Sequence, residues 1–139
     1  MCFIPDVFNL YTECIMSAIE EKEGFIVGGY NWNNIRCADD TALIADSTEM
    51  LQEILNTVVE ESAVKGLSVN QKKTFCIAIS KKVNCALEIL GQRIQQVNKL
   101  NYLGSTIYSD SRCANEIKRR IARETFQRMS KILESSSIQ

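Results

Sequence analysis

The sequence contains no histidine, a single proline and a single tryptophan among its 139 residues. The absence of histidine excludes Ser-His and Cys-His catalytic pairs within this chain, because both need an imidazole as the general base. No two cysteines stand at the C-x₂₋₄-C spacing of the usual zinc sites. No apolar run approaches the ~18 residues that a membrane-spanning helix requires. The sequence therefore gives no sign of a zinc domain, a histidine-dependent hydrolase or a membrane protein.

Net charge is also nearly absent, since 16 Lys and Arg residues stand against 17 Asp and Glu residues. A chain with this balance has no long-range attraction for nucleic acid, so any such binding requires a local patch. Its 45% hydrophobic and 24% charged residues are typical of one folded globular domain. The six cysteines stand mostly among apolar neighbours. We expect them to be reduced and buried, in an intracellular protein of the cytoplasm or nucleus.

Hydrophobic periodicity predicts an α+β fold with a mainly antiparallel sheet. A first helix is predicted from Asp6 to about residue 22, with Cys14 in its apolar stripe. A second helix is predicted from Asp46, with Glu49 in the capping-box position and Gly66 just after its end. Short β-branched runs predict strands at 25–27, 35–38, 41–45, 67–69, 75–79, 86–90 and 93–97, and a third helix is predicted over 113–133.

Two adjacent carboxylates, Asp39 and Asp40, lie between the predicted strands 35–38 and 41–45. Adjacent carboxylates repel each other, and a purely structural hairpin turn favours Asn-Gly. A pair of carboxylates at a fixed point suits a divalent cation. An acidic turn on the surface is nevertheless common, and for the pair alone that interpretation is the stronger one. Taken alone, Lys72-Lys73 is also better interpreted as a solvated turn. The basic face of the third helix, taken alone, is better interpreted as a solvated helix surface.

Five segments follow one another along the chain: PDVFNLY at 5–11, CADDT at 37–41, GLSVNQKKT at 66–74, YLGS at 102–105 and EIKRRI at 116–121. In this order they resemble motifs B, C and D, the primer grip and the start of the thumb of reverse transcriptases. The last segment is similar to the thumb of endonuclease-bearing non-LTR retrotransposons. Each segment is a weak signal alone, but the series covers essentially the whole chain.

The resemblance implies a partial polymerase palm over residues 1–108. Its parts would be an antiparallel sheet with a catalytic-type hairpin and two packing helices. Residues 109–139 would then be the start of a helical thumb and a frayed C-terminus. The implied activity is that of an RNA-directed DNA polymerase, which transfers nucleotides with two metal ions.

The resemblance also implies roles for individual residues. Asp39 would be a metal ligand and Asp40 the second acidic residue, with Mg²⁺ as the cofactor. Lys73, with Lys72 as the alternative, would neutralise the leaving pyrophosphate. The partner would be an RNA or DNA primer-template, contacted by Cys37, Tyr102, Leu103, Gly104, Arg119, Arg120 and Arg123.

The sequence departs from the family pattern in three ways. The motif A aspartate and the fingers that precede motif B are absent, Cys37 replaces an aromatic residue, and a residue is missing between Ile4 and Pro5. We therefore expect a partial retroelement copy that is inactive alone and that self-associates through an exposed strand edge. Two alternatives are a domesticated binding or interaction module without catalysis and a decayed product without function.

Overall fold

The computed structural model describes residues 4–37, 39–79, 83–111, 117–118 and 120–125, and the side chains among these from residue 10 onward. The chain divides into two compact units, Met1–Cys76 with Asn84–Gln96 and Ile77–Val83 with Val97–Gln139. Both helices and strands are present, which confirms the predicted mixed α+β class.

The first unit contains α1 (Ile4–Ser17), β1 (Phe25–Val27), β2 (Tyr30–Trp32), β3 (Asn34–Cys37), β4 (Asp40–Leu43), α2 (Thr48–Val64), a 3₁₀ helix (Gln71–Lys73), β5 (Phe75–Cys76), β6 (Glu88–Ile89), β7 (Gln92–Arg93) and β8 (Gln95–Gln96). The second contains β9 (Lys99–Tyr102), β10 (Ser105–Tyr108) and helical residues at 117–118 and 120–125. Within the described residues the strands form five separate pairs, of which only β5–β8 is parallel. The remainder of the predicted third helix lies outside the described residues.

The two long helices of the first unit share one apolar cluster. Ile15, Met16 and Ile19 at the end of α1 are buried against Ile54 and Val58 of α2. The partly buried residues packed on this cluster are Leu43, Ala45 and Leu67. Because Leu43 is the last residue of β4, the cluster packs against the end of the β3–β4 hairpin opposite its turn.

Helix α2 begins one residue later than the capping-box pattern predicts. Ser47 is its N-cap, and the Ser47 hydroxyl accepts a hydrogen bond from the Met50 amide at 3.1 Å. Asp46 therefore lies outside the helix, and Glu49 lies one position short of a capping box. Gly66 does follow the helix as predicted, with φ +73°, a conformation that favours glycine.

The predicted strand 67–69 does not form, because its first residue closes the end of α2. The Leu67 amide donates to the Ser62 carbonyl at 2.8 Å and the Gly66 amide to the Ala63 carbonyl at 3.0 Å. These two bonds are those of a Schellman motif, in which the residue after the glycine also makes an apolar contact. Leu67 makes that contact with the cluster between α1 and α2.

Helix α1 ends at Ser17, earlier than predicted, because side chains satisfy the carbonyl groups beyond it. Asn33, which is only 5% exposed, donates through its Nδ2 to the carbonyl oxygens of Ile19 and Lys22, the latter at 2.9 Å. The Asn33 carbonyl in turn accepts from the Ile44 amide at 2.8 Å. One asparagine thus joins the end of α1 to the base of the β3–β4 hairpin.

One further sequence prediction is wrong, and one strand pair was not predicted. Cys14 is exposed, because the buried residues at this end of α1 are Ile15 and Met16, with Ile19 just beyond the helix. The periodicity also missed the β9–β10 hairpin.

Candidate functional site

The Asp39-Asp40 pair lies at the tip of the β3–β4 hairpin. Cys37 pairs with Asp40 in the antiparallel register, so Asp39 lies in the turn between β3 and β4. Asp40 is the first residue of β4. Both side chains are exposed. The predicted acidic hairpin is confirmed.

The two faces of this hairpin differ in what they contact. Alternation along the strands places Cys37 and Asp40 on one face, with the cross-strand pair Ile35 and Ala42 next to them. The other face carries Leu43, which packs on the apolar cluster. The acidic face is thus turned away from the core, and Ile35 on it is 43% exposed.

An ion pair fixes the second face of the hairpin to α1. The Arg36 Nη1 lies 2.7 Å from the Glu13 Oε2. Both side chains are partly exposed, so the pair contributes little to stability but orients β3 on the helix.

The carboxylates of the hairpin do not make a complete site for two divalent ions. No three His, Cys, Asp or Glu side chains come together among the residues that the structure describes. Mg²⁺ is commonly held by one or two carboxylates with waters and phosphates, so Asp39 and Asp40 suit part of one coordination shell. A pair of ions in one site needs further protein oxygens. The donor set seen here therefore does not fit a two-ion centre by itself.

The predicted pyrophosphate lysine lies on the short 3₁₀ helix after α2. Lys72 and Lys73 are both exposed there. The Lys73 amide donates to the Asn70 carbonyl at 3.1 Å, and the Thr74 hydroxyl donates to the same oxygen at 2.8 Å. These bonds hold the turn that presents the two ammonium groups to solvent.

The predicted nucleic-acid contacts near the C-terminus lie in the second unit. Leu103 and Gly104 form the turn of the β9–β10 hairpin, with φ +48° and +78°, and Tyr102 is the last residue of β9. The Arg120 guanidinium donates to the Ser105 hydroxyl, directly after this turn. The structure thus brings Arg120 beside the turn. Arg123 is exposed on the same helix, and Arg119 lies outside the described residues.

Two of the cysteines form a buried pair in the first unit. Cys76 and Cys85 are 5% and 7% exposed, and both are free thiols. Burial, helped by a hydrogen bond with Cys85, raises the pKa of Cys76 to about 12. The expectation of reduced, buried thiols is confirmed for this pair, whereas Cys14 and Cys37 are exposed. Cys2 and Cys113 lie outside the described residues.

Residues 5–107 match the family described as reverse transcriptase (RNA-dependent DNA polymerase). The match covers well over half of the chain and includes the β3–β4 hairpin, the 3₁₀ helix and the β9–β10 turn. The chain therefore belongs to the reverse transcriptase family. Its members are RNA-directed DNA polymerases, which use divalent metal ions and bind a primer-template. A search of curated proteins found no match. None of the helices described is long and apolar enough to cross a membrane.

Sequence reasoning missed the side chains that position these segments. Asn33 and Gln52 are both anchors that contact backbone groups far away in the sequence. No local pattern distinguishes them from solvated amides. Arg93 was assigned only to a strand, and nothing in the sequence indicated that it lies near Lys72.

Proposed function

We propose that this chain is the C-terminal palm, residues 1–108, and the start of the thumb, residues 109–139, of a non-LTR retrotransposon reverse transcriptase. It would be a partial copy of an RNA-directed DNA polymerase that acts in the cytoplasm or nucleus. The observation that carries the proposal is the family match over residues 5–107, within which Asp39 lies at an exposed hairpin tip.

Within this proposal, Asp39 and Asp40 are the metal ligands and Lys73 is the residue that neutralises pyrophosphate. Their exposure on the hairpin tip and on the 3₁₀ helix supports roles that need contact with a substrate. The primer contacts proposed are Cys37, Tyr102, Leu103, Gly104, Arg119, Arg120 and Arg123. The bond from Arg120 to Ser105 places an arginine beside the β9–β10 turn. It supports treating the turn residues and the arginines as one contact surface.

We further propose that the residues of this chain do not catalyse polymerisation alone. The two carboxylates of the hairpin supply too few oxygens for a two-ion centre, and an ion held by few ligands is bound weakly. The in-line displacement would then lack the charge neutralisation on which nucleotidyl transfer depends.

Primer extension tests this proposal directly. The purified chain, supplied with a primed RNA or DNA template, all four deoxynucleotides and Mg²⁺ or Mn²⁺, should give no product above background. Asp39→Ala tests the hairpin, and Asp46→Ala is the matched control, because Asp46 is also exposed but lies outside the hairpin. Extension that Asp39→Ala abolishes and Asp46→Ala preserves would show that the chain is a self-sufficient polymerase.

A further inference from the structure

Two buried cysteines lie where the chain leaves the first unit and where it returns. Cys76 is the last residue of the first unit before the chain leaves it, and Cys85 is the second residue after the return. Their side chains are 5% and 7% exposed. Cys85 shares its buried side with Leu87 and Ile89, because burial alternates along this segment as in an extended strand. Both thiols therefore belong to the interior of the first unit.

One residue, Gln96, contacts the backbone of both cysteines. Gln96 is the partner of Cys76 in the parallel pairing of β5 with β8. The Gln96 side-chain oxygen accepts a hydrogen bond from the Cys85 amide at 2.9 Å. The Ile94 amide also donates to the Leu87 carbonyl at 2.8 Å, which joins the chain before Gln96 to the segment after Cys85. The fold thus holds the backbones of the two cysteines to the same strand.

The side chains of the two cysteines also contact each other, because their thiols share a hydrogen bond. Burial raises the pKa of Cys76 to about 12, and the hydrogen bond and the charge of an ionised Cys85 add to the increase. Cys76 is therefore a protonated thiol at neutral pH. A single buried cysteine usually acts as a small apolar side chain. Two thiols in contact have a further capacity, since they can lose two hydrogens and form a bond with each other.

We propose that Cys76 and Cys85 are a site of reversible oxidation, at which hydrogen peroxide converts the two thiols to an internal disulfide. One cysteine attacks peroxide as a thiolate, which breaks the O–O bond and gives a sulfenic acid. The hydroxide that leaves takes up the proton released by this thiol. The second cysteine then attacks the sulfenic sulfur, and its proton leaves with the hydroxyl group as water. In total the two thiols lose two electrons, peroxide gains them, and two water molecules form.

The burial of the pair sets the conditions under which it reacts. The thiolate is the reactive form of cysteine, and Cys76 is held as a thiol in the interior. The exposed Cys14 and Cys37 should therefore react with peroxide before the pair does. The pair responds to sustained oxidation, and a small thiol reductant reverses the reaction by exchange.

The disulfide would join the point where the chain leaves the first unit to the point where it returns. It would close a loop of residues 77–84, and such a cross-link stabilises a fold mainly by restricting the unfolded chain. The strands on either side of this loop gain most, because β5 and β8 have only two residues each. Oxidation should therefore raise the urea concentration at which the first unit unfolds.

Peptide mapping without reductant tests the site in the full-length chain. Two lysines lie between the cysteines in the sequence, so trypsin cuts the chain between them. The resulting peptides are 74–81, which contains Cys76, and 83–93, which contains Cys85. After peroxide treatment of the folded chain, these two peptides should be recovered as one linked species that dithiothreitol separates.

Two variants distinguish this pair from the other thiols. Cys14→Ser/Cys37→Ser removes the exposed thiols, so it should form the link as the wild type does and remain a single chain on a denaturing gel without reductant. Cys85→Ser removes one partner of the pair. It should give no linked peptide, and peroxide should leave its urea midpoint unchanged while raising that of the other two proteins.

Three results on the wild type alone would each show that the proposal is wrong. The first is sulfinic acid on Cys76 or Cys85 without the linked peptide. The second is an unreacted pair after the exposed cysteines have been fully oxidised. The third is a link that forms only after urea has unfolded the chain, since the fold would then not hold the thiols in contact. These results stand even where Cys85→Ser fails to fold, and none of them depends on primer extension.

Discussion

Asn33 shows how much one side chain contributes to the position of the hairpin. Its amide is buried and donates to two carbonyl groups that follow α1, while its backbone accepts from the strand that leaves the hairpin. Nearby, a Cβ added to Gly24 would clash with the Trp32 carbonyl oxygen. Glycine at position 24 thus allows the chain after α1 to approach the backbone of residues 32–33.

Replacing Asn33 with alanine should therefore lower the free energy of unfolding by about 1–3 kcal/mol, because the Ile19 carbonyl loses its side-chain donor in a buried place, whereas the Lys22 carbonyl keeps the Asn31 amide. Urea unfolding followed by circular dichroism measures this change. Asn98→Ala is the control, since Asn98 is exposed. Equal stability of the two variants would mean that water replaces the Asn33 amide.

Among the elements, the β6–β7 hairpin depends on a helix side chain for its backbone hydrogen bonds. The Gln52 amide donates to the Glu88 carbonyl and accepts from the Glu88 amide, as a neighbouring strand would. A strand pair of two residues each is too short to be stable alone. Gln52 supplies part of the missing third strand.

The variant Gln52→Ala should speed hydrogen exchange of the Glu88 amide by about 5-fold, since a typical hydrogen bond contributes about 1 kcal/mol. Exchange followed by nuclear magnetic resonance gives the rate for that amide. Glu53→Ala, on an exposed face of the same helix, should leave it unchanged. If both variants exchange at the wild-type rate, the β6–β7 hairpin is held by other contacts.

The elements that the sequence predicted well are those whose signals are local. Gly66 marked the end of α2, and Asp39 with Asp40 marked the turn of β3–β4. Leu67 was misassigned to a strand, because its apolar side chain serves a helix cap. The β9–β10 hairpin was missed because its turn places Leu103, rather than asparagine, at positive φ.

The features of the candidate site also differ in whether local sequence predicts them. The motif order gave the acidic hairpin tip and the lysines from sequence alone. Gln52 reaches Glu88, and Gln71 reaches Ile89, only because the fold brings the β6–β7 hairpin beside α2 and the 3₁₀ helix. Pairings of this kind join residues far apart in the sequence, and periodicity carries no information about them.

At the scale of the whole molecule, many large apolar side chains of the described residues are exposed, and contiguous exposed apolar patches favour association with another surface. On β1–β2, the side chains that share one face by register are all at least 45% exposed; they are Phe25, Val27, Tyr30 and Trp32. In the described residues, β1–β2 and β3–β4 are each sheets of two strands. Such strands and apolar faces favour pairing with another chain.

We expect the purified chain to self-associate, so its mass in sedimentation should rise with concentration. Ile35→Lys tests the β3–β4 hairpin, and Val27→Lys/Tyr30→Lys tests the face of β1–β2; each should reduce the association through charge repulsion. Val64→Lys is the control, since Val64 is 80% exposed at the end of α2. A wild-type chain that stays monomeric at all concentrations would contradict this expectation.

The path of the chain between its two units has a consequence during translation. The chain leaves the first unit after Cys76 and returns at Asn84, and that unit ends only at Gln96. Helices α1 and α2 and strand β5 therefore emerge from the ribosome first. Strand β5 can pair with β8 only after about twenty further residues have been synthesised. A nascent chain stalled before Gln96 holds both helices but not the strand that pairs with β5, so we expect it to be more open to proteases and chaperones than the finished unit.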